Sequence, residues 1–413
     1  MTKVRGCLMQ YIVLDMEWNQ PWPGSYAARK VLPVEIHGEI IQIGAVRMLE
    51  DGSIADEFQV LVRPKYYKKL NSRVAKLTGI LPFSLAEGLL MFSPVLLAVL
   101  IWLAVHFVKH SLRAGIRYVC VLLSVICILF ALFVPTLGIG SQASHLSDRL
   151  GIAEEKVSAV QLAQTMQWAV DEANRLCNDV DFAFAGASVM PFADYDSMCR
   201  DLMIGYERLH RDHPVFWQFS SAVKPVILSE PMSYTHITGI YTFFTGEANL
   251  NVNFPDYTLP FTAAHELAHQ RGFAREKEAN FIAFLVCINS DQPYTRYSGY
   301  VNMVEYLSNA LYSADKTLWE EVFYSLDLRI RYEMQAYNDF YDKYKESVAA
   351  DVSNAVNDTY LKVQGQTEGT KSYGLVVDLA VAYFNGVVKA AQTENDGQAD
   401  AVLSDDTTEV SEP

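Results

Sequence analysis

Acid is missing where it matters most. Between Glu87 and Asp148 there is no aspartate or glutamate, although the 413 residues carry 48 of them against 33 Lys+Arg, a formal charge of −15. Charged residues make up 20% of the chain, below the roughly 25% of soluble domains, so part of it is built for surroundings other than water. Cysteine is scarce as well. The 6 cysteines include no Cys-x-x-Cys pair, which argues against a disulfide framework and a cysteine zinc site. A net acidic chain is a poor match to a broad nucleic-acid footprint, which needs clustered cations. No histidine follows His269, so a metal site begun there needs a third ligand of another type. Nor does the N-terminus read as a secretory leader, since Asp15 and Glu17 interrupt its apolar run. From 393 onward it is the bases that are absent: Glu394, Asp396, Asp400, Asp405, Asp406, Glu409 and Glu412 have no Lys or Arg among them. Residues 392–413 therefore read as an acidic, disordered tail.

What is present divides by region. Leu89–Val108 and Tyr118–Leu137 are two runs of 20 residues without a formal charge. About 20 apolar residues span the hydrocarbon core of a bilayer, whereas buried core helices are usually shorter. The linker KHSLRAGIR places Lys109, Arg113 and Arg117 between the runs, and loops rich in Lys and Arg stay in the cytoplasm. The expectation for residues 81–140 is a two-helix transmembrane hairpin with its loop inside. The lipid bilayer is then a partner, the localisation a multi-pass cell-membrane protein, and the flanking domain extracytoplasmic.

Residues 1–80 read differently. YIVLDME, EIIQIGAVRM and EFQVLV look like strands. A strand ending in Asp15-x-Glu17 offers two oxygen ligands of the kind that Mg²⁺ or Mn²⁺ takes in phosphodiester chemistry. Together with RPKYYKKLNSRVAKLTGI, these segments resemble the start of DEDD-type 3′–5′ exonucleases, with an α/β ribonuclease H-like fold. That resemblance implies two further aspartates and usually a histidine downstream, but the residues after Ile80 run straight into an apolar span. The expectation is a partial, vestigial fragment, with Leu77–Ile80 as the place where two unrelated sequences meet.

The strongest chemical signal is FTAAHELAHQRGFAREKEANFIAFL, residues 261–285. On a helix His265 and His269 lie one turn apart on one face, so both imidazoles can hold one Zn²⁺. Glu266 is then placed to take a proton from a zinc-bound water. Gly272 is placed to end the helix. A second helix from near Arg275 offers Glu276 or Glu278 as third ligand; these point about 200° apart around the axis, so both cannot face the metal. A purely structural zinc site has four protein ligands and no need of a base, so Glu266 weighs against a non-catalytic, zinc-stabilised membrane protein. Gly239–Phe244 and Ala248–Phe254 read as a β-hairpin beside the helix, and an edge strand there can pair with an extended peptide. Helical periodicity covers roughly 154–178, 193–211, 299–312, 317–346 and 372–391. Tyr360–Gln366 and Ser372–Gly374 read as a polar bend, Cys177 and Cys199 as a pair able to bridge in an oxidising compartment, and His210 and His213 as surface residues.

In gluzincin-type metallopeptidases, which this motif resembles, the glutamate ligand often stands four residues before an Asp or Asn that orients a ligand histidine. Glu276 and Asn280 have that spacing, which favours Glu276 and makes Asn280 a supporting residue; Glu278 stays the alternative. From LPFSLAEGLL onward, with FTGEANLN, LPFTAAHELAHQRGFAREKEANFIAFL, YLKVQGQ and SYGLVVDLAVAYF, the chain resembles the bacterial membrane family called domain-of-unknown-function family 3810. The resemblance implies a transmembrane, zinc-dependent, metallopeptidase-like protein. It also implies a further membrane helix ahead of the hairpin, where this chain has the nuclease-like stretch. The expected fold is thus a mainly α membrane protein: a fragment over 1–80, a transmembrane hairpin over 81–140, a mostly helical zincin-like domain over 141–391, and the tail. The expected activity is zinc-dependent hydrolysis of a peptide or protein.

Overall fold

The computed structural model describes the backbone of residues 11–19, 39–48 and 54–61, and then residues 81, 83–133, 144–152, 157–183, 186–214, 216, 219–345 and 376–388. The chain divides into two units, residues 1–74 and 75–413, slightly ahead of the boundary expected at 80. In the first unit Tyr11–Asn19 (β1), Glu39–Met48 (β2) and Ile54–Leu61 (β3) form an antiparallel sheet in the order β1-β2-β3. Asp15 stands opposite Gly44 and Glu17 opposite Gln42 in its register.

The second unit is mostly helical. Leu85–His110 (α1) and Leu112–Phe133 (α2) are long and apolar enough to cross a membrane; the 26 residues of α1 make about 39 Å of helix. Their large side chains point outward: Leu90, Phe92 and Trp102 are each more than 60% exposed. The two helices lean on each other through Tyr118, whose hydroxyl donates to Leu100 O at 2.8 Å. Both run beyond the apolar cores of the expected spans at their N-terminal ends. Residues 134–137 of the second span lie outside the described residues.

After the return at Leu146–Leu150 (α3), the core is built by Ala159–Leu176 (α4), Tyr195–Asp212 (α5), Leu259–Gln270 (α7), Glu276–Ile288 (α8) and Pro293–Ala314 (α9). A capping box closes the start of α4, where Ser158 and Gln161 satisfy each other's backbone donors; Asp194 and Ser197 do the same for α5. Apolar residues at helical spacing on α4 (Leu162, Met166, Ala169, Val170, Ala173) are buried. Trp168 packs its ring edge-on against Phe284 of α8 and Tyr300 of α9.

A small sheet lies beside α7. Lys224–Pro225 (β4) runs parallel to Glu247–Leu250 (β6), which pairs antiparallel with Gly239–Thr242 (β5), so β5 is at the edge. Between β4 and β5 lies the short helix Ser229–Ser233 (α6).

The single helix expected over 317–346 is two, Lys316–Phe323 (α10) and Leu328–Lys345 (α11). Between them the Asp327 carboxylate accepts the Arg329 N–H at 2.9 Å, and the Asp327 N–H donates to Asn174 Oδ1 at 2.8 Å. Side-chain bonding of this kind diverts the backbone from the helical ladder. Val376–Tyr383 (α12) is followed by one π-helical turn over Phe384–Val388. Cys177 and Cys199 are buried free thiols, and burial pushes both up to about 12. His210 lies on α5 with Nδ1 2.6 Å from Phe216 O, and His213 caps that helix. The bend over 360–374 and the tail from 392 fall outside the described residues.

Candidate metal centre

Two helices and one turn build the site. Helix α7 carries Pro260 in its first turn, where a missing N–H loses no helical bond. It ends at Gly272, whose φ of +90° disfavours any side chain. The Gly272 N–H donates to His269 O and the Phe273 N–H to Ala268 O, so the chain doubles back under the last turn. This reversal sets the Phe273 carbonyl 2.7 Å from His269 Nδ1. A carbonyl only accepts, so Nδ1 carries the hydrogen and Nε2 faces the other way, free to take a proton or a metal. The turn then starts α8, and Glu276 is its first residue.

His265, His269 and Glu276 come together. One ligand atom from each lies within 4.8 Å of the others, and among the described residues this is the group of three able to hold a metal. Nε2 of His265 is 3.0 Å from Nε2 of His269 and 3.3 Å from Glu276 Oε2; His269 Nε2 is 3.6 Å from Glu276 Oε1. Ligand atoms around tetrahedral zinc, at bonds of about 2.0–2.1 Å, are separated by about 3.4 Å. The separations between the two imidazoles, and from each imidazole to the nearer Glu276 oxygen, bracket that value. His265 and Glu276 keep 12% and 13% of their side-chain surface open.

Electrostatics tie the three together. Burial raises and the two histidines lower the Glu276 carboxyl, and the histidines prevail, holding it well below the usual range. Burial opposes a charge on His269, yet Glu276 against it raises its pKa to about 9. Two imidazoles and a carboxylate thus attract one another across the cluster.

Glu266 is buried one residue on from His265, and burial pushes its carboxyl upward. The backbone N–H of Tyr241, on the edge strand β5, donates to it, while its Oε2 has no partner. The other contact is Gly239: a Cβ there would fall 2.6 Å from Glu266 Oε1 and 2.7 Å from its Cγ. Glycine at 239 thus lets the strand lie against the glutamate. Nothing in the local sequence marks Gly239, because the contact joins residues 27 positions apart through the fold.

Glu278 is not brought to the cluster. It is buried on the other side of α8, where Oε1 accepts the Leu146 N–H at 3.0 Å and Arg275 Nη1 at 2.9 Å. Asn280 is buried on α8 one turn after Glu276. Its Nδ2 and His265 Nδ1 are both buried without a hydrogen-bond partner.

Supporting residues that sequence reasoning did not single out hold α7 in place. Tyr206 donates its hydroxyl to Ala264 O at 2.8 Å. The buried Arg271 guanidinium lies over the Tyr206 and Phe219 rings and donates to Leu267 O and Phe219 O. Gln270 donates to Gly246 O at 2.7 Å, fastening the helix to the β5–β6 turn.

The family model described as "Protein of unknown function (DUF3810)" matches residues 63–381. The chain belongs to this family. The match takes in both long apolar helices and His265, His269 and Glu276, and it begins upstream of residue 81, inside the stretch read as nuclease-like. No curated protein and no solved structure matches the chain. Asp15 and Glu17, on which the Mg²⁺ or Mn²⁺ expectation rests, lie outside the family match.

Proposed function

We propose that this family member is a membrane-anchored, zinc-dependent hydrolase of peptide bonds. The observation that carries the proposal is the convergence of His265 and His269 of α7 with Glu276 of α8, next to the buried Glu266 of α7. His265 and His269 would hold the ion through Nε2 and Glu276 through its carboxylate. A zinc ion held there would supply Lewis acidity to the scissile carbonyl and to water. Glu266 is the general base. Burial raises its carboxyl, the direction that suits a base which takes a proton and returns it to the leaving amine. The Tyr241 N–H and the close approach of Gly239 fix its orientation. Asn280, buried one turn after Glu276, would be the residue that supports the ligands. An extended substrate would add to the edge strand β5.

The apolar hairpin α1–α2 anchors the domain in the bilayer. Lys109, Arg113 and Arg117 at its turn favour a cytoplasmic loop, so the metal domain lies on the extracytoplasmic side.

Full-length protein in detergent, assayed against a mixture of unrelated peptides, tests the reading. The parent should hydrolyse some of them. Glu266→Gln should keep its metal and lose activity by about 10²–10⁴-fold, the usual contribution of a general base. Undiminished hydrolysis by Glu266→Gln would exclude the mechanism.

A further inference from the structure

The root of α1 is stitched into the catalytic half of the molecule. The N–H groups of Leu85 and Ala86 both donate to the Glu247 carboxylate at 3.0 Å, so a residue of β6 caps the long apolar helix. In return the Glu87 carboxylate, in the first turn of α1, accepts the N–H groups of Ile227 at 3.0 Å and Leu228 at 2.6 Å. Lys224 of β4 donates to Leu81 O. Glu247 and Glu87 are both buried.

These clasps gather apolar side chains that are not buried. Phe83 and Leu85, at the start of α1, are 46% and 36% exposed, Ile227 is 75% exposed and Phe244 45%. Ile227 is held to Glu87 through its own backbone. Phe244 sits three residues before Glu247, in the β5–β6 turn closed by the Gly246 N–H on Thr242 O. Three separate segments thus present exposed apolar groups around one point, the place where α1 leaves the domain. A few residues further along the helix, Leu89, Leu90, Met91 and Phe92 are all exposed as well. From Leu85 to Leu89 the helix rises only about 6 Å, which leaves no stalk between domain and span.

We propose that Phe83, Leu85, Ile227 and Phe244 form a collar that inserts into the bilayer interface, so that the metal domain lies on the membrane surface. The inference rests on the reading of α1 as a membrane span. Its occupant is lipid, at the depth where apolar faces enter the boundary between headgroups and acyl chains. Apolar exposure at the root of the span is the argument. A chain with net charge −15 gains nothing from anionic headgroups, so the attachment is apolar rather than electrostatic. The collar would hold β6, and with it the edge strand β5, at the lipid surface.

Brominated phosphatidylcholine, which quenches tryptophan only on contact, tests this in vesicles holding the full chain. Phe244→Trp and Ile227→Trp are examined separately, each against the parent, and the signal of Trp102 within α1 is isolated with Trp102→Phe. The expected result is quenching of Trp102 together with a loss of about half of the emission added at 244 and 227 when bromine is placed near the interface. If Trp102 is quenched while the added emission is untouched at both positions, the collar is wrong and the span stands. Added emission insensitive to bromine but dependent on protein density in the membrane would assign the face to a second copy, which also overturns the proposal. An unquenched Trp102 would reject the membrane reading itself, and the collar with it.

Discussion

Helices α1 and α7 break the same rule in opposite directions. Along α1 the apolar side chains are exposed, Leu90, Phe92 and Trp102 among them; on α7 and the start of α8 the ionisable ones are buried or nearly so, Glu266, His269 and Glu276 among them. Water punishes both arrangements, since apolar area prefers cover and an unpaired buried charge is costly. On the proposed reading, lipid surrounds the first and a cation lies against the second. The two exceptions are also tied together: Glu247 caps α1 from the strand next to β5, and Glu278, on the helix that begins with Glu276, receives the Leu146 N–H where the chain returns from the hairpin.

The comparison can be broken most severely at Gly239. Gly239→Ala puts a methyl within 2.6 Å of Glu266 Oε1, and displacing a catalytic group by an ångström costs about 10²-fold in rate. Peptide hydrolysis should fall by that amount with zinc content unchanged. Loss of zinc instead would make Gly239 a support of the ligands rather than of Glu266.

The link between the regions is sharpened by Glu247→Ala. It strands two backbone N–H groups at the root of α1 and removes two charge-assisted hydrogen bonds, a loss of about 4 kcal/mol at about 2 each. Denaturant unfolding of the full chain in detergent measures it, and Glu247→Gln should recover part of the loss. An unchanged midpoint for Glu247→Ala would dissolve the coupling.

A carboxyl outside the cluster of His265, His269 and Glu276 calibrates both. Glu305 on α9 accepts the Tyr257 hydroxyl at 2.5 Å, and burial raises its pKa to about 7. The folded chain therefore holds this proton more tightly than the unfolded chain does. Its contribution is complete below about pH 4.5 and is lost as the pH rises towards 7, a change of about 3 kcal/mol at most. Glu305→Gln should flatten stability across that window; an identical pH profile would show that the carboxyl ionises freely.

Legibility follows the range of the interactions. His265, Glu266, His269 and Gly272 stand out because their chemistry depends on spacing within one helix and its end, which sequence displays directly. The two apolar runs are legible for the same reason. Choosing Glu276 over Glu278 takes more, because helical spacing says only that they face apart. What settles their placement is a partner for Glu278 at Leu146, 132 residues away. Gly239, Glu87 and Glu247 carry no local signal. Their partners lie across the fold, Glu247 being 162 residues from Leu85. The division of 317–346 into two helices is of this kind too, since it depends on Asp327 finding Asn174.

The most direct measurement is the metal content of the purified full-length chain beside His265→Ala. The account predicts about one zinc per chain in the parent, as three ligands and an open position require, and its loss in a variant that still folds. A folded parent that binds no zinc, or a His265→Ala chain that keeps it, would contradict the metal centre on which the function rests.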